Sequence, residues 1–143
     1  VYKRQVAGHS MGGGGTLAAA RDNPTLKAAI PLAPWHTTKN FSSVKVPTLI
    51  VACESDIIAP VSSHAQRFYD SMSAATPHAI LELAGANHFC VNNSTSAANK
   101  AVNTKMATSW LKVYMDGDRR YAPFLQEAKP ASNISRYLKV AVQ

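Results

Sequence analysis

The segment Gly8-His9-Ser10-Met11-Gly12, prolonged by Gly13, Gly14 and Gly15, constrains this chain more than any other. A strand-like run, Gln5-Val6-Ala7, leads into it, and an alanine-rich stretch reaching about Arg21 follows. A strand that turns at once into a helix leaves few conformations open to its corner residue. The G-x-S-x-G spacing fits the nucleophile elbow, in which a serine occupies a strained strand-to-helix turn with its hydroxyl exposed. Glycines two residues before and after the serine are expected because side chains there would collide with the turn. The competing reading is a glycine-rich turn with an incidental serine. The flanking strand and helix patterns favour the elbow.

The rest of the chain alternates in the same way. Asn23-Pro24 closes the first helix, since proline cannot continue it. Residues 27–32 read as a strand, and 46–52 (VPTLIVA) as a buried one, being short, continuous and β-branched. Residues 61–74 have helical spacing, with Ala65, Phe68, Tyr69 and Met72 on one side. A strand over 79–83 and a helix over 98–114 follow, the latter with Val102, Met106, Trp110 and Val113 in one stripe. Residues 116–118 read as a turn and 134–142 as a last strand. Alternating strands and helices specify an α/β fold, a parallel sheet with helices on both faces. No internal repeat or second domain interrupts residues 1–143, so a single domain is expected.

Composition removes several function classes. With 46% hydrophobic and 16% charged residues, the chain is not intrinsically disordered. No apolar run approaches the roughly 20 residues needed to span a bilayer, so no membrane role is expected. Fifteen Lys and Arg against eight Asp and Glu give a net charge of +7, which favours anionic partners. The basic residues, Lys39 among them, are scattered, with no stripe interleaved with aromatics, so nucleic-acid binding is not expected. Cys53 and Cys90 are too few for a disulfide scaffold and lack metal spacing; two buried thiols or one bridge both remain open. No secretory signal opens the sequence, and Val1 in place of Met suggests a processed, excised or nicked chain. The sequons at Asn40, Asn92, Asn93 and Asn133 read as incidental.

A nucleophile elbow calls for an acid and then a histidine further along the chain. Asp56 follows the buried strand 46–52, and His88 follows the strand 79–83. Catalytic groups in open α/β sheets sit beyond the carboxyl ends of strands, so all three could converge. Ser10 would attack, His88 would take its proton, and Asp56 would fix the imidazole. Glu54 is an alternative acid, but Asp56 lies further past its strand. Asp22, Asp70 and Asp116 fall at helix ends. His9 adjoins the nucleophile and could line the cleft. His36 and His64 do not follow a strand end after the acid, and His78 reads as a surface residue. No His, Asp and Glu cluster has metal-ligand spacing, so neither metal nor cofactor is expected.

At these motifs the chain resembles the bacterial cutinases, the polyester hydrolases that include poly(ethylene terephthalate) hydrolases. The resemblance runs through Gly8 to Gly15, Lys27-Ala28-Ala29, Ala33-Pro34-Trp35 and Pro47-Thr48-Leu49-Ile50. It continues through Ile58-Ala59-Pro60-Val61, Phe68-Tyr69-Asp70-Ser71-Met72 and His88-Phe89. It implies an α/β-hydrolase fold and a serine ester hydrolase cleaving polyesters or short-chain esters, secreted from the cell. Ser10, Asp56 and His88 match the family's triad, and Met11 the donor of one oxyanion-hole N–H. Trp35 matches the cleft aromatic, Ile58 an apolar cleft residue, and His64 with Phe68 the pair beneath the aromatic. Cys53 and Cys90 match a disulfide near the active site of one branch. Ala84 stands where that family's calcium site would have Asp.

The resemblance also implies that this chain corresponds to the family's C-terminal half. The early strands, the loop giving the other oxyanion N–H and the aromatic opposite Trp35 would lie in a portion preceding it. The strand 5–7 would then form an exposed edge, which invites pairing with another chain. Two functions are therefore carried forward: an ester hydrolase, and a weakly active or inactive fragment that self-associates or pairs with a missing N-terminal segment.

Overall fold

The computed structural model describes residues 4–127 and 131–142. The described strands are β1 (Gln5–His9), β2 (Ala28–Leu32), β3 (Thr48–Cys53), β4 (His78–Leu83) and β5 (Ile134–Val140). The helices are α1 (Met11–Asp22), α2 (Ala65–Ser71), α3 (Ala97–Asp116) and α4 (Ala122–Gln126). The sheet order is β1-β2-β3-β4-β5. The first four strands run parallel, and β5 returns antiparallel to β4. The α/β class expected from the alternation is the fold observed.

Side chains on a strand point alternately to opposite faces, and here each face has its own core. Ala28, Ile30, Leu49, Val51, Leu81 and Leu83 pack on one side with Met106 and Trp110 of α3. Ala29, Ile50, Ala52 and Ile80 pack on the other with Leu17 of α1, Phe68 of α2 and Phe41 from the β2–β3 loop. Removing a large apolar side chain from water is worth roughly 1.5–3 kcal/mol. A sheet buried on both faces explains why β3 and β4 are buried at every position. Trp110 is wholly buried, and its indole N–H donates to the Pro47 carbonyl at 3.3 Å.

Caps set the ends of the longest helix. The Ser96 side chain accepts from the Asn99 N–H, and Gly117 closes the other end in the left-handed region, φ 69°. The helix therefore runs to Asp116, two residues beyond the expected 114.

Three further expectations need correction. The helix expected over 61–74 is a 3-10 turn, Val61–Ser63, then the shorter α2. His64 separates them at φ −129°, ψ −89°, outside helical geometry, because its ring is committed to the β2–β3 loop as described below. His78, read from sequence as a surface residue, is buried. It opens β4, a strand flanked on both sides; its Nδ1 lies 2.7 Å from the Thr76 carbonyl, and its ring meets Tyr69 at 4.9 Å. The last strand ends at Val140, two residues short of 142.

β1 pairs only with β2, which leaves it an edge of the described sheet. Among the described residues, no helix is long and apolar enough to cross a membrane.

Candidate active site

Every candidate group leaves the sheet at the carboxyl end of a parallel strand. Ser10 follows β1, Trp35 follows β2, Asp56 follows β3 and His88 follows β4. Parallel strands in register place these four loops side by side along one edge.

Ser10 sits between β1 and α1 with φ 58° and ψ −119°. A positive φ in a residue with a side chain costs of order 1–3 kcal/mol and persists only where surrounding bonds enforce it. Here the Ser10 N–H donates to the Leu32 carbonyl at 2.9 Å. The Ser10 carbonyl accepts from Gly14 at 3.1 Å and from Trp35 at 2.9 Å. The elbow is thus tied both to its own helix and to the loop carrying Trp35.

The glycines divide into two kinds. A Cβ at Gly8 would overlap the Gly12 carbonyl, and one at Gly14 would overlap the Trp35 carbonyl and crowd the His36 ring. At Gly13 it would come within 2.9 Å of Leu32 and Pro34 backbone atoms. A Cβ at Gly12 or Gly15 would meet nothing within 4 Å beyond the local helix backbone. The expected crowding holds at Gly8 but not at Gly12. The close approach falls instead at Gly13 and Gly14, where the helix carries the β2–β3 loop.

Asp56 and His88 are both buried. Asp56 Oδ1 accepts from the Ile58 N–H at 2.8 Å and the Ala59 N–H at 2.7 Å. Its Oδ2 lies 2.6 Å from His88 Nδ1, and His88 Nε2 lies 2.9 Å from Ser10 Oγ. An ionised carboxylate only accepts, so it fixes the proton of a neutral imidazole on Nδ1 and leaves Nε2 to accept from the serine hydroxyl. Glu54, the alternative acid, turns away: its Oε2 accepts from the Gly85 N–H at 2.7 Å. His9 lies beside His88, with ring centroids 4.7 Å apart and Nε2 2.9 Å from the His88 carbonyl.

The Cys53–Cys90 disulfide joins the end of β3 to the loop of His88, which resolves the two readings of the cysteines. It encloses both the Asp56 and the His88 loops. Backbone bonds run parallel to it, from Glu54 N–H to the Leu83 carbonyl and from Ser55 N–H to the Ala86 carbonyl.

Met11 opens α1, where a backbone N–H has no acceptor within the helix. Met11 is 72% exposed, and Ile57, Ile58 and Phe89 are exposed too. Four of the six large exposed apolar residues described thus lie within two positions of Ser10, Asp56 or His88 in the chain. The mouth of the site has an apolar rim.

Trp35 stacks on His64, centroids 5.7 Å apart and planes 30° from parallel. Phe68 stands edge-on to His64, and Phe41 edge-on to Phe68. Sequence reasoning missed Lys39, which it counted only among scattered basic residues. Its ammonium lies 2.8 Å from His64 Nδ1, donates to the His36 carbonyl and sits over the Phe68 ring. Burial and the neighbouring Lys39 push the His64 pKa down, against an opposing pull from Asp56. No signal in the sequence pointed to this cluster, because His64 lies 25 residues beyond Lys39.

Among the described residues, no three His, Cys, Asp or Glu side chains are grouped so as to hold a metal ion. The buried histidine of the site is committed instead to a serine and a carboxylate.

Residues 2–140 match the PET hydrolase-like (PETase) family. The chain belongs to that family. Cutinase 1 of Thermobifida cellulosilytica is 53% identical over 120 residues, covering 84% of this chain and 44% of that protein. A cutinase of Thermobifida fusca is also 53% identical over 120 residues, covering 38% of its own length. The bis(hydroxyethyl) terephthalate hydrolase of Streptomyces coelicolor is 47% identical over 133 residues, covering 92% of this chain and 41% of that protein. The chain thus spans about two fifths of the length of these PETase-family relatives.

Proposed function

We propose that this chain carries the catalytic machinery of a serine ester hydrolase, one that cleaves polyesters or short-chain carboxylic esters through an acyl-enzyme. The observation that carries the reading is the continuous file from Ser10 Oγ through His88 to Asp56, with contacts of 2.9 and 2.6 Å.

In this mechanism Ser10 Oγ attacks the ester carbonyl carbon while His88 Nε2 takes the hydroxyl proton. Asp56 holds the imidazole in the required tautomer and stabilises the imidazolium that forms. The Met11 N–H, at the start of α1, faces the charge developing on the carbonyl oxygen. Collapse of the tetrahedral intermediate breaks the ester C–O bond, and His88 returns the proton to the departing alcohol. Water then repeats the sequence on the acyl-enzyme, with His88 again as base, and frees the acid. Trp35, Ile58 and His9 would flank the acyl group, and the apolar rim suits an apolar ester. The names of the cutinases and the terephthalate-ester hydrolase support this substrate class. The disulfide suits an oxidising, extracellular compartment.

A second reading rests on one edge of the sheet. Among the described residues β1 pairs on one side only, and beside it Ala7, Leu32, Val91, Ala107 and Leu111 line an apolar groove between sheet and α3. On this reading the chain works only with a further polypeptide, a separate segment or a second copy, added at β1.

Hydrolysis of p-nitrophenyl butyrate by wild type and Ser10→Ala tests the first reading. Wild type should turn over substrate, and the variant should fall to background; equal rates would overturn it. Light scattering during the same assay tests the second. Activity confined to an assembled species supports it, and an active monomer contradicts it.

A further inference from the structure

The Lys39 ammonium sits against His64, the ring on which Trp35 stacks, and among the described residues is hydrogen-bonded to neither Ser10 nor His88. An ammonium has three donors and no acceptor. At 2.8 Å from His64 Nδ1, it requires that nitrogen to accept. The His36 backbone N–H points at the same nitrogen from 3.4 Å. His64 is therefore neutral, with its proton on Nε2. A protonated His64 would place two like charges within hydrogen-bond distance.

The consequence passes upward through the stack. His64 supports Trp35 in near-parallel contact, and Phe68 and Phe41 hold His64 from beneath in successive edge-on contacts. The Phe contacts define the ring's place without fixing its rotation, because they are apolar and offer no preferred nitrogen. The Lys39 bond to Nδ1 does fix it. The ammonium is held in turn by the His36 carbonyl and the Phe68 face. Thr38, between them, donates its N–H to His36 Nδ1 at 2.9 Å, which sets the bend of the loop.

We propose that Lys39 is a positioning residue for Trp35: it clamps His64 as the neutral Nε2–H tautomer, giving the indole a fixed support that favours aromatic acyl groups over small aliphatic ones. The proposal rests on the ester-hydrolase reading for its substrate class, while the clamp itself can be read without turnover. The charged groups that bear on it are Lys39 and Asp56 around His64, and Arg67 near Lys39. Lys39 disfavours the imidazolium and Asp56 favours it. Acidification then opposes the clamp by protonating the nitrogen that Lys39 needs.

The test compares wild type, Lys39→Met and Lys39→Arg on p-nitrophenyl benzoate and p-nitrophenyl butyrate. Aromatic contacts of this kind are worth about 0.5–1.5 kcal/mol, so Lys39→Met should raise KM for the benzoate by about two- to twelve-fold. KM for the butyrate should change by less than about two-fold. Lys39→Arg, which keeps a donor, should recover part of the loss. Equal changes for the two esters, or none, would overturn the specificity role. Nitrogen-15 NMR of the His64 ring gives the independent arm. Wild type should report the Nε2–H tautomer at neutral pH, and Lys39→Met a mixture with a higher protonation midpoint. Identical ring signals would overturn the clamp. Should wild type hydrolyse neither ester while the NMR difference is present, the hydrolase reading falls and the clamp stands.

Discussion

His88 Nδ1 lies 2.6 Å from Asp56 Oδ2, although 32 residues separate them in the chain. The contact exists because β3 and β4 are parallel neighbours and release their loops at the same edge. Asp56 divides its oxygens, one holding its own loop through Ile58 and Ala59 and the other facing the imidazole. Asn at position 56 could keep the loop bonds through its carbonyl oxygen but would favour the wrong imidazole tautomer. Asp56→Asn should therefore fold normally by circular dichroism and lose about 10⁴ in kcat on p-nitrophenyl butyrate. A loss under about ten-fold would contradict the role given to Asp56.

The disulfide joins Cys53 and Cys90 across 37 positions and staples the Asp56 and His88 loops together. Replacing both cysteines with Ser should lower unfolding free energy by about 2–4 kcal/mol, as read by urea unfolding of the oxidised wild type against the variant. An unchanged urea midpoint would mean that the parallel backbone bonds suffice.

Gly14 and Gly15 are adjacent on α1 but should respond in opposite directions. Gly14→Ala drives a Cβ into the Trp35 carbonyl and should destabilise by several kcal/mol, about 3 or more. Gly15→Ala places its methyl in open space on a helix and should stabilise by roughly 0.5–1 kcal/mol. Thermal unfolding of the two variants reads the contrast, and a shared sign would contradict it.

Because its folded-state pKa is depressed, the unfolded chain binds a proton at His64 before the folded chain does. Stability then falls as pH drops from His64's unfolded range toward its lower folded pKa, and the full contribution returns above that range. Urea unfolding from pH 8 to pH 5 should show a steeper decline for wild type than for His64→Phe. Equal slopes would place the titration elsewhere.

Much of this arrangement was legible in the sequence because each part carries a local signal. The glycine run marked the turn, continuous apolar runs marked β3 and β4, and the residues just past them marked the edge where Asp56 and His88 meet. What escaped depended on partners distant in sequence. His78 looks like a polar strand end until β3 and β5 are seen to flank it. The helical spacing over 61–74 hides the break at His64, since the ring that departs from the helix answers to Lys39, 25 residues earlier. Gly12 satisfies the motif, yet further crowding lies at Gly13 and Gly14, whose neighbours include the end of β2 at Leu32 and the loop residues Pro34, Trp35 and His36. Lys39 carries no pattern at all; only the folded loop gives it a partner.

The central claim is that Ser10 is a nucleophile activated by His88. Labelling folded protein with a fluorophosphonate, followed by intact mass and peptide mapping, tests it most directly. A nucleophilic Ser10 predicts one adduct per chain on the peptide containing residue 10, absent from Ser10→Ala and strongly slowed in His88→Ala. Folded wild type that takes no label, or a Ser10→Ala variant labelled to the same extent, would contradict it.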